Sequence, residues 1–340
     1  MPASLKEVAA RARVSVGTVS NVLNRPDRVR PEAVARVNAA IAALGYVPNG
    51  AARQLRAGQS TSIALVVLDV SNPFFTDLAR GAERRAEELG LSVFLANSDE
   101  SAAREERHLD FFETQRVFGL LISPVGEDQS RLHRLRARGI PVVLVDRSAP
   151  DDRFSSVSVD DFVGGKIAAQ HLLERGRRNL AFVGGPLRIQ QVADRYRGAS
   201  ETVNAVPGAS LRYIETGALT LDEGRRAGAE IHRNLKDSAI DAVFAANDLL
   251  AIGIQQALIG GDPPVSIPGD IALVGYDDIS FAAGAVVPIT SVRQPSEIIG
   301  STAVDLLLEE HSLAADGARS QVVFQPELVV RASTGGDRPL

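Results

Sequence analysis

Two sets of residues in this 340-residue chain have types and spacings that could do chemistry. The first lies in the run SVGTVSNVLN, residues 15–24. If Ser15 caps a helix there, Val19, Val22 and Leu23 form its buried side. Val16, Gly17, Ser20 and Asn21 then point outward near its start. In that position, side chains can meet base edges in a DNA groove. Val16 could touch a thymine methyl, and Asn21 could hydrogen-bond an adenine edge or a phosphate. Gly17 has no side chain to read a base, though it could allow close backbone approach. Direct base readout by this helix is therefore thin. The second set follows apolar, strand-like runs: Asp69 and Asn72, Asn97, Ser123, Asp146, Gly185, Asn247 and Asp277. Polar groups gathered at strand ends suit a polyhydroxylated ligand. Taken singly, Asn72, Asn97 and Asp278 fit helix caps or turns better.

The first set needs a small helical head to hold it. Ser4 and Glu7 have capping-box spacing, and Leu5, Val8, Ala9 and Ala12 line one face of the helix they start. With the run after Ser15, this helix makes a helix-turn-helix. Pro31 fits a first helical position, Val34, Val37, Ile41 and Leu44 form a core stripe, and Gly45 stops that helix. Asn49 can cap a short helix over 50–56, which is too short to be stable alone and is expected to fold when docked. Its Ala51, Ala52 and Leu55 make a small apolar face. Paired with a second copy, that face could push Leu55 between base pairs in the minor groove. The alternative is an ordinary linker with a stray leucine.

The second set needs a larger α/β body. From Ser62 onward, apolar runs alternate with amphipathic helices. Strand candidates are SIALVVLDV, SVFLAN, GLLISP, PVVLVD, LAFVGG, LRYIET, AVFAAN and IALVGYDD. Continuous apolar strands between helices predict parallel sheets covered on both faces. Eight such units exceed one usual sheet, so two doubly wound subdomains are expected, with ligand bound beyond the carboxyl ends of the strands.

The net charge of -5 argues against nucleic acid only when read globally. Residues 1–60 hold nine basic and three acidic side chains, a balance of +6, which leaves -11 for the rest. A basic head on an acidic body suits phosphate attraction at one end. There are no cysteines, hence no disulfide or thiolate metal site. The first ten residues lack the apolar run of a signal peptide, and no stretch has the length of a membrane helix, so a cytoplasmic protein is expected. His108, His133, His171, His232 and His311 are scattered, and no phosphate loop, dinucleotide fingerprint or nucleophile elbow appears. No cofactor and no enzyme activity are expected. Gly164 and Gly165 fit close helix packing better than phosphate binding.

The run LKEVAARARVSVGTVSNVLN, with RVRPEAVARVNAAIAALGYVPNGAARQLRAG after it, resembles the DNA-binding head and hinge helix of the LacI/GalR family of bacterial transcription regulators. The body motifs NPFF, LISP, PVVLVDR, VDDFVGGKIAAQHLLERG, ADRYRG, AVFAANDLLAIG, VGYDD and TSVRQP resemble that family's effector domain, which is similar to periplasmic sugar-binding proteins. The resemblance implies an all-α head on a body of two parallel-sheet subdomains. Its divisions would be 1–47 for DNA binding, 48–61 for the hinge and 62–340 for effector binding and dimerisation. Within the body it implies one subdomain of about 62–160 with 292–320 and another of 161–291 with 321–334.

The implied DNA contacts are Ser15, Val16, Gly17, Thr18, Ser20, Asn21 and Asn24, with Asn49, Ala52 and Leu55 from the hinge. The implied effector contacts are Arg195, Asn247 and Asp277 on sugar hydroxyls, with Asp146 and Ser123 facing the same cleft. Phe74 and Phe75 could stack on a sugar ring. Arg195 offers a rigid fork of donors, though it could instead pair with Asp194 or another carboxylate. Ile189 stands where purine-responsive relatives have arginine, which speaks against a purine. RIQQVADRY departs from the usual small residues there and puts Gln190 and Gln191 in doubt. The resemblance further implies a homodimer on a pseudo-palindromic double-stranded operator, released by a small-molecule effector, with no membrane partner. The other reading is a sugar-binding module without regulatory DNA binding.

Overall fold

The computed structural model describes residues 3–46, 60–312, 317 and 319–335, without the side chains of 236–238. The chain divides into two units between residues 60 and 61. In the first unit, α1 spans Leu5–Ala12, α2 Val16–Asn24 and α3 Pro31–Leu44. Each boundary has a local cause. Ser4 Oγ accepts from the Glu7 amide, and the Glu7 carboxylate accepts from the Ser4 amide at 2.7 Å. Ser15 Oγ accepts from the Thr18 amide at 3.0 Å and so starts α2. Pro31 opens α3, and Gly45, at φ +58°, ends it. Val8, Ala9, Ala12, Val19, Val22, Val37 and Ala40 form the buried core, with Leu5, Leu23, Val34, Ile41 and Leu44 packed around it. Arg36 Nε donates to the Ala12 carbonyl at 3.3 Å, satisfying a terminal acceptor of α1. Asn49, Ala52, Leu55 and the short helix expected over 50–56 lie outside the described residues.

The second unit runs β1 Ser62–Val67, α4 Pro73–Glu88, β2 Ser92–Asn97, α5 Ala102–Gln115, β3 Gly119–Ile122, α6 Ser130–Ala137, β4 Val142–Val145, β5 Ser155–Val159, α7 Asp161–Glu174, β6 Asn179–Gly184, α8 Gln190–Asn204, β7 Ser210–Glu215, α9 Leu221–Ser238, β8 Ala242–Ala245, α10 Asp248–Ile259, β9 Ala272–Asp277, α11 Ser280–Ala283, β10 Thr290–Arg293, α12 Ser296–Ser312, β11 Gln321–Phe324 and β12 Glu327–Val329. The strands form two six-stranded sheets, ordered β11-β5-β4-β3-β1-β2 and β12-β10-β9-β8-β6-β7. The ladders are parallel except that β12 runs antiparallel to β10. Central strands β3, β4, β8 and β9 are buried at every residue, as helices on both faces require.

The chain crosses between the sheets after β5, after β10 and between β11 and β12. Two of these crossings fall later than the expected 291/292 and 320/321. Thr290–Arg293 completes the second sheet, and Gln321–Phe324 pairs with β5 in the first. All eight expected strands are present. Four others, β5, β10, β11 and β12, were not expected. In β5, SSVSV is too polar to read as a core strand, yet every residue is buried. Its hydroxyls are satisfied locally: Ser155 donates to Glu310 at 2.7 Å, Ser158 shares a 2.9 Å bond with Ser148, and Ser156 accepts from the Ala149 amide at 3.2 Å.

Helices α7 and α8 pack through reciprocal glycines. A Cβ on Gly165 would stand 2.0 Å from the Arg195 carbonyl oxygen, and one on Gly198 would stand 2.0 Å from that of Phe162. Gly164 faces the Tyr276 ring in the same way. The pair therefore serves helix packing, as its sequence indicates. It also fixes where Arg195 sits.

Candidate functional site

In the head, α2 presents its first turn and outer face to solvent. Val16 is 40% exposed, and Ser15, Gly17, Asn21 and Asn24 are exposed, while Thr18 and Ser20 are half-buried. Several of these polar groups are already engaged. Ser15 and Thr18 share a 2.9 Å hydroxyl bond, and Asn24 Nδ2 donates to the Ser20 carbonyl at 2.8 Å. Val16 and Asn21 also face solvent on this side of α2. Packing does not demand glycine at 17, since an added Cβ would meet only Ser15 Oγ, at 3.6 Å.

In the body, a cleft lies between the two sheets at the carboxyl ends of their strands. The first subdomain contributes Leu68 and Asp69 after β1, Asn72, Phe74 and Phe75 at the head of α4, Glu100 after β2 and Asp146 after β4. The second contributes Ile189, Gln191 and Arg195 around α8, Leu219 after β7, Asn247 after β8 and Asp277 ending β9, and Gln294 follows β10. The cavity they enclose is about 40 Å3, room for roughly three water molecules.

Arg195 is 4% exposed and held on three sides. Its Nε donates to Asp161 at 2.7 Å, its Nη1 donates to the Ala246 carbonyl at 2.8 Å, and its guanidinium lies 3.6 Å from the Tyr276 ring centre. The carboxylate alternative weighed for this arginine is thus realised, but with Asp161 rather than Asp194, which pairs with Arg197. Burial works against the guanidinium charge, but Asp161, Asp277 and Asp146 outweigh it and hold its pKa above the ordinary arginine value.

Asp146 and Asp277 end their strands at φ +58° and +101°, a strained placement for non-glycine residues that aims each carboxylate inward. Asp277 accepts from Asn72 at 2.9 Å and from Gln294 at 2.7 Å. Asp146 accepts from Gln191 at 3.0 Å through Oδ2, while its buried Oδ1 has no partner among the described residues. Burial pushes both carboxyls up, and Arg195 pulls them back. The Asn72–Asp277 and Gln191–Asp146 bonds each join one subdomain to the other.

Asn247 lines the cavity while capping α10, its Oδ1 accepting from the Leu250 amide at 2.9 Å and its Nδ2 donating to the Leu219 carbonyl at 3.0 Å. Phe74 and Phe75 are buried edge to face, 5.1 Å apart. Ser123 is buried, with its hydroxyl unpartnered among the described residues, but it does not line the cavity. Asn72 is the cap its sequence suggests, to the Phe74 amide at 3.1 Å, and in addition a cross-cleft donor. Asn97 caps the loop at Asp99. Asp278 is instead an ion-pair anchor for Arg293 and Arg331. Sequence reasoning left Gln191 in doubt and missed Asp161, Gln294 and Glu100. Gln294 follows β10, a four-residue strand without an apolar run, so the strand-end rule does not reach it.

One buried carboxylate of this unit belongs to its frame. Asp248 accepts from the Ile279 amide at 2.9 Å and from Ser291 Oγ at 2.7 Å, and burial holds its pKa well above the carboxylate range. A raised pKa in the folded state means this group stabilises most at acid pH and loses that contribution as pH rises through the folded pKa. The stability of Asp248→Asn relative to the native protein is therefore expected to fall as pH is lowered from 7 to 5. Urea midpoints at the two pH values measure this, and a constant difference would contradict it.

Known proteins resemble both units. The family model "Bacterial regulatory proteins, lacI family" matches residues 4–49, and "Periplasmic binding protein-like domain" matches 169–334. The ribose operon repressor of Escherichia coli (strain K12) is 34% identical over 310 residues, covering 90% of this chain and 92% of its own. The structure of transcriptional regulator CelR with cellobiose has a TM-score of 0.71 at 32% identity, covering 97% of this chain and 99% of its own. The lac repressor dimer, bound to operator and the anti-inducer ONPF, has a TM-score of 0.83 at 25% identity, covering 98% and 99%. Among the described residues, no helix is long and apolar enough to cross a membrane.

Proposed function

The chain belongs to the lacI family of bacterial regulatory proteins, and from that premise we propose a sugar-responsive transcriptional repressor that binds a pseudo-palindromic operator as a homodimer. The observation that carries this reading is the pairing, in one chain, of an exposed helix-turn-helix face with a cleft of strand-end polar groups centred on Arg195, Asp146, Asn247 and Asp277. We assign DNA binding to 1–47, the hinge to 48–61, and effector binding and dimerisation to the rest. Val16 and Asn21 are assigned to base contacts, with Ser15, Gly17, Thr18, Ser20 and Asn24 shaping the approach and Asn49, Ala52 and Leu55 acting from the hinge. In the cleft, Arg195, Asn247, Asp277 and Asp146 grip hydroxyls, and Phe74 and Phe75 cover a sugar face. A second copy covers the exposed apolar side chains of edge strand β2, Phe94 and Leu95, and of the adjoining α5, Phe111. The protein acts in the cytoplasm, without catalysis.

A sugar that enters the cleft has to replace or reorganise the Asn72–Asp277 and Gln191–Asp146 bonds, and this changes how the subdomains close. Sugar binding and operator binding are thereby coupled, typically by about 1–3 kcal/mol. The test is a gel shift on operator DNA that the protein itself selects from a random pool. Sugar is expected to weaken operator binding by roughly 5–150-fold. A sugar-binding module without regulatory use would select no sequence. Leu55→Ala should weaken selected-operator binding while sugar affinity stays the same; undiminished operator affinity would remove the minor-groove wedge from the reading.

A further inference from the structure

We infer that the effector is an uncharged sugar, and that Glu100 is the residue that turns phosphorylated and acidic sugars away. The inference rests on the sugar reading above and adds the chemical form of the sugar.

The cavity lining holds four carboxylates, Asp69, Glu100, Asp146 and Asp277, against one guanidinium. That guanidinium is already neutralised by Asp161, which lies behind it. Asp146 Oδ1 and Gln294 Oε1 are buried without partners among the described residues, and their residues are 5% and 4% exposed. An amide oxygen accepts and cannot donate a hydrogen bond, and the same is true of an ionised carboxylate oxygen. Both call for a ligand that brings hydroxyl donors, and both repel an anionic oxygen.

Glu100 stands where the main cavity meets a smaller adjoining compartment of about 20 Å3, and it lines both. The chain holds it there at some cost: Asp99 and Glu100 are consecutive non-glycine residues at φ +52° and +51°. The Glu100 amide is pinned to the Leu68 carbonyl at 3.2 Å. Its carboxylate has no hydrogen bond or ion pair among the described residues. Burial raises its pKa, Asp69 adds to the rise, and Arg188 opposes it from the other subdomain. The two arginines of the adjoining compartment are each opposed by carboxylates. Arg147 donates to the Gly126 carbonyl at 2.6 Å and lies near Glu127 and Glu105, with its Nε buried and without a hydrogen-bond partner among the described residues, and Arg188 is set against Glu100. An anionic substituent on the sugar would have to lie among carboxylates, and like charges placed together repel.

The test titrates the full chain by calorimetry with two panels. One holds D-ribose, D-xylose, D-glucose and cellobiose; the other holds D-ribose 5-phosphate, D-glucose 6-phosphate and D-gluconate. The tightest ligand is expected to be neutral, with its anionic counterpart at least about 100-fold weaker. Glu100→Gln should narrow that gap by about tenfold by improving the anion. Anionic sugars that bind the native chain as tightly as their neutral parents overturn the proposal and leave the sugar reading standing, with Arg147 and Arg188 as the dominant charges. An unchanged gap in Glu100→Gln removes Glu100 from the role. Binding by no member of either panel overturns the sugar reading and this proposal together. The native ratio is decisive even if the variant does not fold.

Discussion

Arg195→Ala is expected to lose about 3–5 kcal/mol of effector-domain stability along with its response to sugar. The side chain it removes is the only ion-pair partner of Asp161 among the described residues, and both groups are buried. Alanine would leave the buried Asp161 carboxylate without its cation beside Tyr276. The loss of response alone would therefore be ambiguous, because a partly unfolded body cannot report on sugar. The double variant Asp161→Asn with Arg195→Met separates the two effects. It removes both charges and keeps most of the volume, so much of the stability should return, since apolar replacement of a buried pair is often neutral or better. Sugar response should stay absent. Urea unfolding of the full chain reads the first effect, and sugar-dependent release of selected operator reads the second. A double variant that releases operator normally would take Arg195 out of the sugar-binding set.

The second large effect is expected at Gly165, a position that touches no ligand. Its added Cβ in Gly165→Ala would stand 2.0 Å from the Arg195 carbonyl oxygen and 2.8 Å from the carbonyl carbon. Backbone cannot swing aside as a flexible side chain does, so α7 and α8 must separate, at a cost of about 1–3 kcal/mol. The displaced segment is the turn that carries Arg195, and sugar affinity should fall by roughly tenfold, equivalent to about 1.4 kcal/mol. Ala181→Gly, in strand β6 of the same subdomain, serves as the control for stability loss. If both variants weaken sugar binding equally at equal stability, the crossing does not position Arg195.

Much of this site is legible in the sequence because the strand-end rule is topological. A strand that is recognised supplies a position, and a polar residue at its end is a candidate. Asp146, Asn247 and Asp277 were reached in that way, and the structure puts all three on the cavity wall. Asn97, Ser123 and Gly185 end recognised strands without lining the cavity, and Gln294 lines it without being reached; two of these failures have identifiable reasons. Strand β10 is four residues with Thr290 and Ser291 in its buried half, so it carries no apolar run and Gln294 gains no address. Ser123 does follow a recognised strand, but the wall there is formed by Pro124 and Val125 in the adjoining compartment. Side-chain pairing is less legible still. Nothing local in VDDFVGG says that Asp161, at the start of a helix, reaches Arg195 thirty-four residues later. That contact depends on the closeness of α7 and α8, and hence on Gly165 and Gly198.

Two of the three chain crossings carry residues that touch the cavity's charged groups. Asp161 opens the helix after the first crossing and holds Arg195; Gln294 sits in the second and holds Asp277. In the switch proposed above the subdomains bend at these crossings, so that pivot and receptor are partly the same amino acids. The same economy removes a degree of freedom. A lineage that alters Asp161 or Gln294 to welcome a new sugar also resets how readily the two halves bend when no sugar is there. Ligand taste and background gene expression would then drift together, and tuning one without the other would require compensating change elsewhere in the cleft.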